Sequence, residues 1–321
     1  MIKRIGFFTL IVAVSAALFA GGPGTTGVNY LRIGMGARAV AMGEAQVAIT
    51  DSVDAMYWNP AGLALVKRYE VGLMHLSYWQ GISYESAAVV VPIKDAGVFA
   101  IGGTYINSGS IDKTTETLTG SDYVLDGTFS YSAFSGMISY ANKFIIEKQP
   151  VFLGASLKAV NDSIDGTSAI AIGVDAGAMY LLAKNLLIGM SLTNVGTVLG
   201  EDAMMPLTLK AGAGFKMGLI EGHSIIVALD GVLPADAGLK ANLGVEYAIN
   251  KIFFLRGGYK LNYDLESLSA GAGFRTNLGG AAYELDYAFV PGSDDIGSTH
   301  RVSLIVRFGY PLLKPGEEFK D

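Results

Sequence analysis

The chain has 321 residues, of which 42 are glycine and none cysteine; 51% are hydrophobic, 16% are charged, and the formal net charge is −6. That acidic balance gives no basic footprint for nucleic acid or for an anionic membrane surface. Without cysteine and with only three histidines, thiol nucleophiles, disulfides, iron–sulfur clusters and zinc-thiolate sites are excluded, and no metal or other cofactor is expected.

The first element is residues 1–20. Lys3 and Arg4 precede an apolar run from Ile5 to Ala20 that ends in small residues before Gly21-Gly22-Pro23-Gly24. A basic start, a short apolar stretch and a small-residue break read as a secretory signal peptide with cleavage near Ala20. The run is shorter than the ~20 apolar residues a spanning helix needs.

Residues 21–67 have a different texture, dense in glycine and alanine. Gly34-x-Gly36-x-x-Ala39 has the spacing of a dinucleotide fingerprint, but no strand precedes it and no βαβ unit follows, so that reading is rejected. Asp51 to Ala55 suggests a short helix with Asp51 near its start, and Asn59-Pro60 is a turn signal. Small residues packed this densely let backbones approach closely. The segment suits a plug folded inside a barrel better than a set of membrane strands.

From residue 68 onward the pattern has period two. Leu207, Leu209, Ala211, Ala213 and Phe215 alternate with Thr208, Lys210, Gly212, Gly214 and Lys216; Ile170, Ile172 and Val174 alternate with Ala171, Gly173 and Asp175. One face is apolar and the other small or charged, which is the signature of a strand between lipid and a crowded barrel interior. Counted this way, strands fall near 70–79, 84–92, 98–107, 129–140, 151–160, 169–182, 186–194, 207–216, 224–233, 240–249, 253–261, 268–276, 282–289 and 300–308. The fold class is therefore all-β, a transmembrane antiparallel β-barrel of about 14 strands over 68–310, closed because lipid tolerates no open sheet edge. Short connections such as Lys94 to Ala96 alternate with longer ones at Ser108 to Thr128, Val195 to Pro206 and Pro291 to Thr299, as inner turns and outer loops do.

Tyr78, Tyr105, Phe129, Tyr180, Phe253, Tyr259, Phe289 and Tyr310 are candidates for interfacial girdles, and Gly97, Gly102, Gly103, Gly257 and Gly258 for kinks or bulges at a lateral opening. A Pro-containing polar tail at 311–321 is expected on the inner side. By parity, Lys158, Asp175, Lys210, Lys240, Glu246, Arg256, Arg275, Glu284, Asp286, Arg301 and Arg307 face the lumen, where mutual ion pairing or contact with a ligand's carboxylate is expected. His75, His223 and His300 stand in separate segments, and no serine elbow or paired-histidine motif is present, so an enzyme is not expected.

The N-terminal block carries a resemblance. Gly34, Gly36, Arg38 and Gly43, then Asp51, Asp54, Tyr57 and Asn59-Pro60-Ala61-Gly62, resemble the N-terminal signature of the PorV/PorQ family within the FadL-like outer-membrane proteins. Further matches are Ser191-Leu192-Thr193-Asn194-Val195-Gly196, Leu255-Arg256-Gly257-Gly258-Tyr259 and Thr299-His300-Arg301-Val302-Ser303-Leu304. The resemblance implies a 14-stranded barrel with an N-terminal hatch at 21–67 carrying those motif residues, set in outer-membrane lipid. It implies one of two roles: a shuttle for type IX-like secretion, with secreted cargo or a surface attachment complex as partner, or uptake of long-chain fatty acids or other hydrophobic small molecules. The polar character of Ser108 to Thr128 favours a protein partner and so the first.

Overall fold

The computed structural model describes residues 22, 24–116, 122–200, 203–293 and 296–309. The expected signal peptide at 1–20, Tyr310 and the expected tail at 311–321 lie outside the described residues. Fourteen antiparallel strands close into one barrel. They are β1 (Tyr69–Ser77), β2 (Ser83–Ile93), β3 (Gly97–Asn107), β6 (Tyr131–Ile146), β7 (Gln149–Ile164), β8 (Thr167–Ala183), β9 (Leu186–Leu199), β10 (Thr208–Gly218), β11 (Ser224–Pro234), β12 (Lys240–Ile249), β13 (Phe253–Leu261), β14 (Leu268–Leu278), β15 (Ala281–Pro291) and β16 (Ser298–Phe308). A separate hairpin of β4 (Ile111–Glu116) and β5 (Tyr123–Phe129) replaces the expected open loop at Ser108 to Thr128. Each barrel strand pairs with the next barrel strand in sequence, β3 with β6 across the inserted hairpin, and β1 closes on β16 with Tyr69 opposite Phe308 and Ser77 opposite His300.

The alternation explains the wall. In β8, Ile170, Ile172 and Val174 are exposed on the outside while Ala171, Gly173 and Asp175 are buried within. Leu, Ile, Val and Phe dominate the exposed large side chains of the other strands as well, as expected of a face solvated by lipid. Strands β6, β7 and β8 run for 16, 16 and 17 residues. They outreach the 9–11 residues a tilted strand needs to cross, so part of the external mass is extended sheet, and β7 and β8 are joined by Asp165-Gly166 alone. Both turn residues have positive φ, 45° and 78°, the geometry that matches the twist of the flanking strands.

Two further expectations change. Residues 195–206 are not simply a loop. β9 continues to Leu199 through a bulge, with Val174 opposite Val195 but Ala176 opposite Leu192, and the chain then turns back so that Met205 N donates to Gly196 O at 3.1 Å. The glycines expected to kink the wall do not break it, because β2–β3–β6 and β12–β13–β14 pair in unbroken register through Gly102, Gly103, Gly257 and Gly258.

The lumen is occupied by residues 28–66. They form a 3₁₀ turn at Asn29–Arg32, helix α1 (Ala37–Ala41), helix α2 (Ala55–Trp58) and a 3₁₀ helix at Pro60–Leu65. The α2 helix begins three residues later than the sequence suggests, with Asp54 rather than Asp51 at its N-cap position. The α1 helix packs on β13 to β16, and the Pro60–Leu65 helix on β3, β6, β7 and β8. Small residues permit this fit: Ala37, Ala41, Ala55 and Ala61 have no exposed surface. The wall answers with glycines, since a Cβ on Gly258 would fall on the Gly43 amide and one on Gly154 on the Pro60 carbonyl. The small neutral face of the strands is thus the seat of the N-terminal segment.

Candidate functional site

The motif at 34–62 works as a set of local locks. Asn59 is fully buried; its Oδ1 accepts from Ala61 N at 3.1 Å, and its Nδ2 donates to Val47 O at 2.7 Å and to Ala178 O of β8 at 3.3 Å. Pro60 then opens the 3₁₀ helix at a position where no N–H is needed. Ala61 packs on Phe152 and Met179, and Gly62 passes the Thr50 carbonyl so closely that no Cβ fits. Tyr57 Oη donates to Leu31 O at 2.7 Å and Trp58 Nε1 to Met35 O at 2.9 Å. Gly36, at φ 84°, lies against the Asp54 carboxylate. Gly34 faces Glu44, and Gly43, at φ 62°, the Leu243 carbonyl.

Charged groups fasten this segment to the wall. Arg38 Nε donates to Glu246 at 2.9 Å and Nη1 to Asp51 at 2.7 Å. Asp230 accepts from Gln46 N and Val47 N at 2.6 and 2.8 Å, and Glu70 accepts from Val53 N at 2.9 Å. Burial pushes the Asp54 carboxyl up to about 7, with Asp286 and Glu70 adding to the shift and Arg38 opposing it.

All the charges assigned inward by parity lie on the inner face, in two groups. Toward the short turns, Arg256 reaches Glu246 at 2.7 Å, Asp286 at 2.5 Å and Glu284 at 3.6 Å. Glu284 also meets Arg275 at 2.7 Å and Arg307 at 2.5 Å, and Arg307 meets Glu70 at 2.7 Å. Of these, Glu246, Arg275 and Arg307 line a chamber of about 650 Å³ at the short-turn rim, together with Arg38, Asp51 and Lys216. Toward the long loops, Lys158 and Asp175 pair at 2.8 Å, and both hold Asn194, whose N donates to Asp175 at 2.7 Å while its Oδ1 accepts from Lys158 at 2.6 Å. Asn194, at φ 61°, is the extra residue of the β9 bulge; Asn tolerates this conformation better than most residues.

Above the segment lies a cavity of about 350 Å³. Its floor includes Leu31, Ile33, Tyr57 and Trp58, its mouth Tyr78, Trp79, Tyr263 and Leu265, and its walls Lys210, Lys240 and Arg301. Tyr78, expected in an outer girdle, instead lines this mouth, whereas Tyr105, Phe253, Tyr259 and Phe289 do face outward. Lys210 Nζ sits 4.6 Å from the Trp58 ring centre and 5.5 Å from that of Tyr57, and Lys240 Nζ 4.4 Å from Tyr263. Lys260 bridges Glu44 at 3.0 Å and Glu266 at 2.7 Å. Burial alone would raise the Glu44 carboxyl, but Lys260 and then Arg301 outweigh it and hold it below the ordinary carboxylate range. Arg32 pairs with Asp236, which also accepts from Thr26 at 2.7 Å.

Sequence reasoning passed over Glu44, Lys260, Glu266, Arg32, Asp236 and Asp230. Parity would have found Lys260 in β13, two residues beyond Gly258, and Asp230 in β11, in step with Ala228; the others sit on turns or in the segment, where period two gives no guidance. None of the three histidines lines this cavity. His75 pairs with Glu85 at 2.6 Å on the outside, His300 with Tyr287 at 2.7 Å, and His223 with Tyr247 at 2.8 Å.

No family model and no curated protein matches the chain. Solved structures do. The toluene transporter TodX of Pseudomonas putida superposes with a TM-score of 0.61 at 15% identity, over 85% of this chain and 97% of its own. The toluene transporter TbuX of Ralstonia pickettii gives 0.56 at 16%, over 86% and 99%. The monoaromatic hydrocarbon channel CymD gives 0.57 at 12%, over 87% and 98%. At such identities the likeness is one of architecture, and the chain has the fold of these channels nearly from end to end.

Proposed function

We propose that the protein is an outer-membrane uptake channel for hydrophobic small molecules, in which residues 28–66 act as the hatch. The observation that carries this reading is the concave cavity between the long loops and the segment, where Leu31, Ile33, Tyr57, Trp79, Tyr263 and Leu265 share the lining with charged side chains. A concave site of this size that combines apolar surface with placed polar groups is what a small ligand occupies. The shared architecture with hydrocarbon channels supports it. On this reading the short turns lie in the periplasm, the long loops and the β4–β5 hairpin outside, and passage requires residues 28–66 to shift. The direct test compares uptake of labelled toluene and labelled octanoate by cells with and without the gene at limiting concentration. Faster uptake of either by expressing cells supports the channel, and equal rates for both compounds overturn it.

A secretion role has one observation in its favour. The hairpin lies outside the closed sheet, reaching the β7–β8 turn through Lys113 and Asp165 at 2.6 Å, with Tyr123, Val124 and Leu125 exposed, a surface suited to a protein partner. Unchanged export of surface proteins in a null strain would dispose of that role.

A further inference from the structure

Resting on the channel reading, we infer that the ligand of the upper cavity is a small carboxylate with an aromatic body, held by Lys210 and Arg301, rather than a neutral hydrocarbon. The argument begins with what the cavity leaves unpaired. Of its cations, Lys260 is used by Glu44 and Glu266, Lys158 by Asp175 and Arg32 by Asp236. Lys210, Lys240 and Arg301 have no carboxylate within 4.0 Å among the described residues.

Arg301 is the most telling. Its relative exposure is 1%, and among the described residues its one hydrogen bond is from Nη1 to Thr299 Oγ1 at 3.1 Å and its Nε has no partner. A guanidinium carries five donors in a planar fork made for a carboxylate. A buried charge left this far from saturation is costly unless something completes it.

The unsatisfied atoms around the cavity point the same way. Among the described residues that line it, Arg32 Nε, Trp79 Nε1 and Arg301 Nε are buried donors without a partner, against a single such acceptor, Asn242 Oδ1. An ionised carboxylate is an acceptor only, so it complements a surplus of donors. A hydrocarbon would leave every one of them unmade. Lys210, resting on the faces of Trp58 and Tyr57, is positioned by contacts that do not neutralise it. Tyr57, Trp79 and Tyr263, which are only half-buried, leave apolar ring surface for the body of the ligand. The volume, about 350 Å³, lies at the low end of small-molecule sites, ~300–1,000 Å³, which favours one ring over a long chain.

Both tryptophans of the chain, Trp58 and Trp79, line the cavity, so intrinsic fluorescence reads the site directly. The experiment titrates the purified full-length protein in detergent with 3-phenylpropanoate and with propylbenzene, the same body without charge. It repeats both titrations on Lys210→Met, Arg301→Met and, as a control from the opposite chamber, Lys216→Met. The expected result is that phenylpropanoate binds at least tenfold more tightly than propylbenzene. Lys210→Met and Arg301→Met should each weaken phenylpropanoate at least tenfold with propylbenzene unchanged, and Lys216→Met should leave both alone. Lys210→Met carries the test should Arg301→Met not fold. Equal binding of the two compounds, or phenylpropanoate binding indifferent to Lys210→Met, overturns the carboxylate assignment while leaving a hydrocarbon channel intact. No fluorescence response to either compound, together with equal uptake by null and expressing cells, overturns both.

Discussion

Arg256→Met removes the cation on which three buried carboxylates converge. Arg256 is 0% exposed along its side chain, and the three acids do not depend on it equally. Glu246 keeps Arg38, and Glu284 keeps Arg275 and Arg307. Asp286 keeps no ion-pair partner among the described residues, since its one hydrogen bond there is accepted from Arg256 Nη1 and its second oxygen is already unpartnered. Stranding one buried charge costs about 3–5 kcal/mol, and methionine restores part of the packing volume, so a loss near ~3 kcal/mol is expected. Asp286→Asn in the Arg256→Met background removes the stranded charge and should recover a large part of that loss. Asp286→Asn alone should cost only about 1 kcal/mol, the scale of one hydrogen bond. Urea unfolding of protein refolded into lipid vesicles, followed through Trp58 and Trp79, measures all three variants with the wild type. An Arg256→Met variant within 1 kcal/mol of wild type, or an Asp286→Asn substitution that fails to rescue it, would refute the reasoning.

Gly258→Ala and Gly257→Ala form a matched pair on β13. The first adds a Cβ onto the Gly43 amide and the second meets nothing within 4 Å, so urea unfolding should show a loss of about 1–3 kcal/mol for the first, the scale of overpacking, and under 1 for the second. Asp54 binds its proton up to about pH 7 in the folded protein and only up to about pH 3.9 when unfolded. The folded state therefore holds the extra proton between those values, and the stability it confers below the lower one is lost as pH rises toward 7. Hydrogen exchange at residues 46–58 should accelerate from pH 5 to pH 8 beyond the intrinsic rate, and Asp54→Asn should flatten that dependence. Arg38→Met, which frees the segment from Glu246 and Asp51, should raise single-channel conductance in planar bilayers. Replacing 110–129 by a short Gly-Ser linker should leave the unfolding midpoint within error, because β4 and β5 are exposed on both faces and pair only with each other.

How much of this is legible in the sequence follows from what period two can and cannot encode. Strand alternation determines which side chains face the lumen, so Lys158, Glu246 and Arg256 could be placed without coordinates. Parity holds only while the ladder is regular. At Asn194 an additional residue enters β9, and nothing in Ser191-Leu192-Thr193-Asn194 announces it except that asparagine tolerates positive φ. The β4–β5 hairpin was hidden by its polarity: Thr114, Thr115 and Asp126 have no buried face to alternate with. The cavity was illegible for a different reason. Its residues come from the 3₁₀ turn at Asn29–Arg32 and the stretches that follow it, α2, the turn after β1, seven strands and the 262–267 connection, and only the closed ring brings them together.

Ring closure also dictates an order of assembly. The seam between β1 and β16 joins the first strand to the last, from Tyr69 opposite Phe308 to Ser77 opposite His300. The segment of residues 28–66 leads into β1 through Lys67 and Arg68, yet it is pressed against strands from β3 round to β16. A folded body touching opposite walls cannot be drawn into a finished cylinder, so it must be enclosed while the sheet is an open curl. The segment is then a mandrel on which the later strands are rolled, and the most sequence-distant pairing is also the one that seals it in. A variant that weakens the fit at Gly154 or Gly258 should therefore slow the appearance of the closed barrel as well as loosen the finished one.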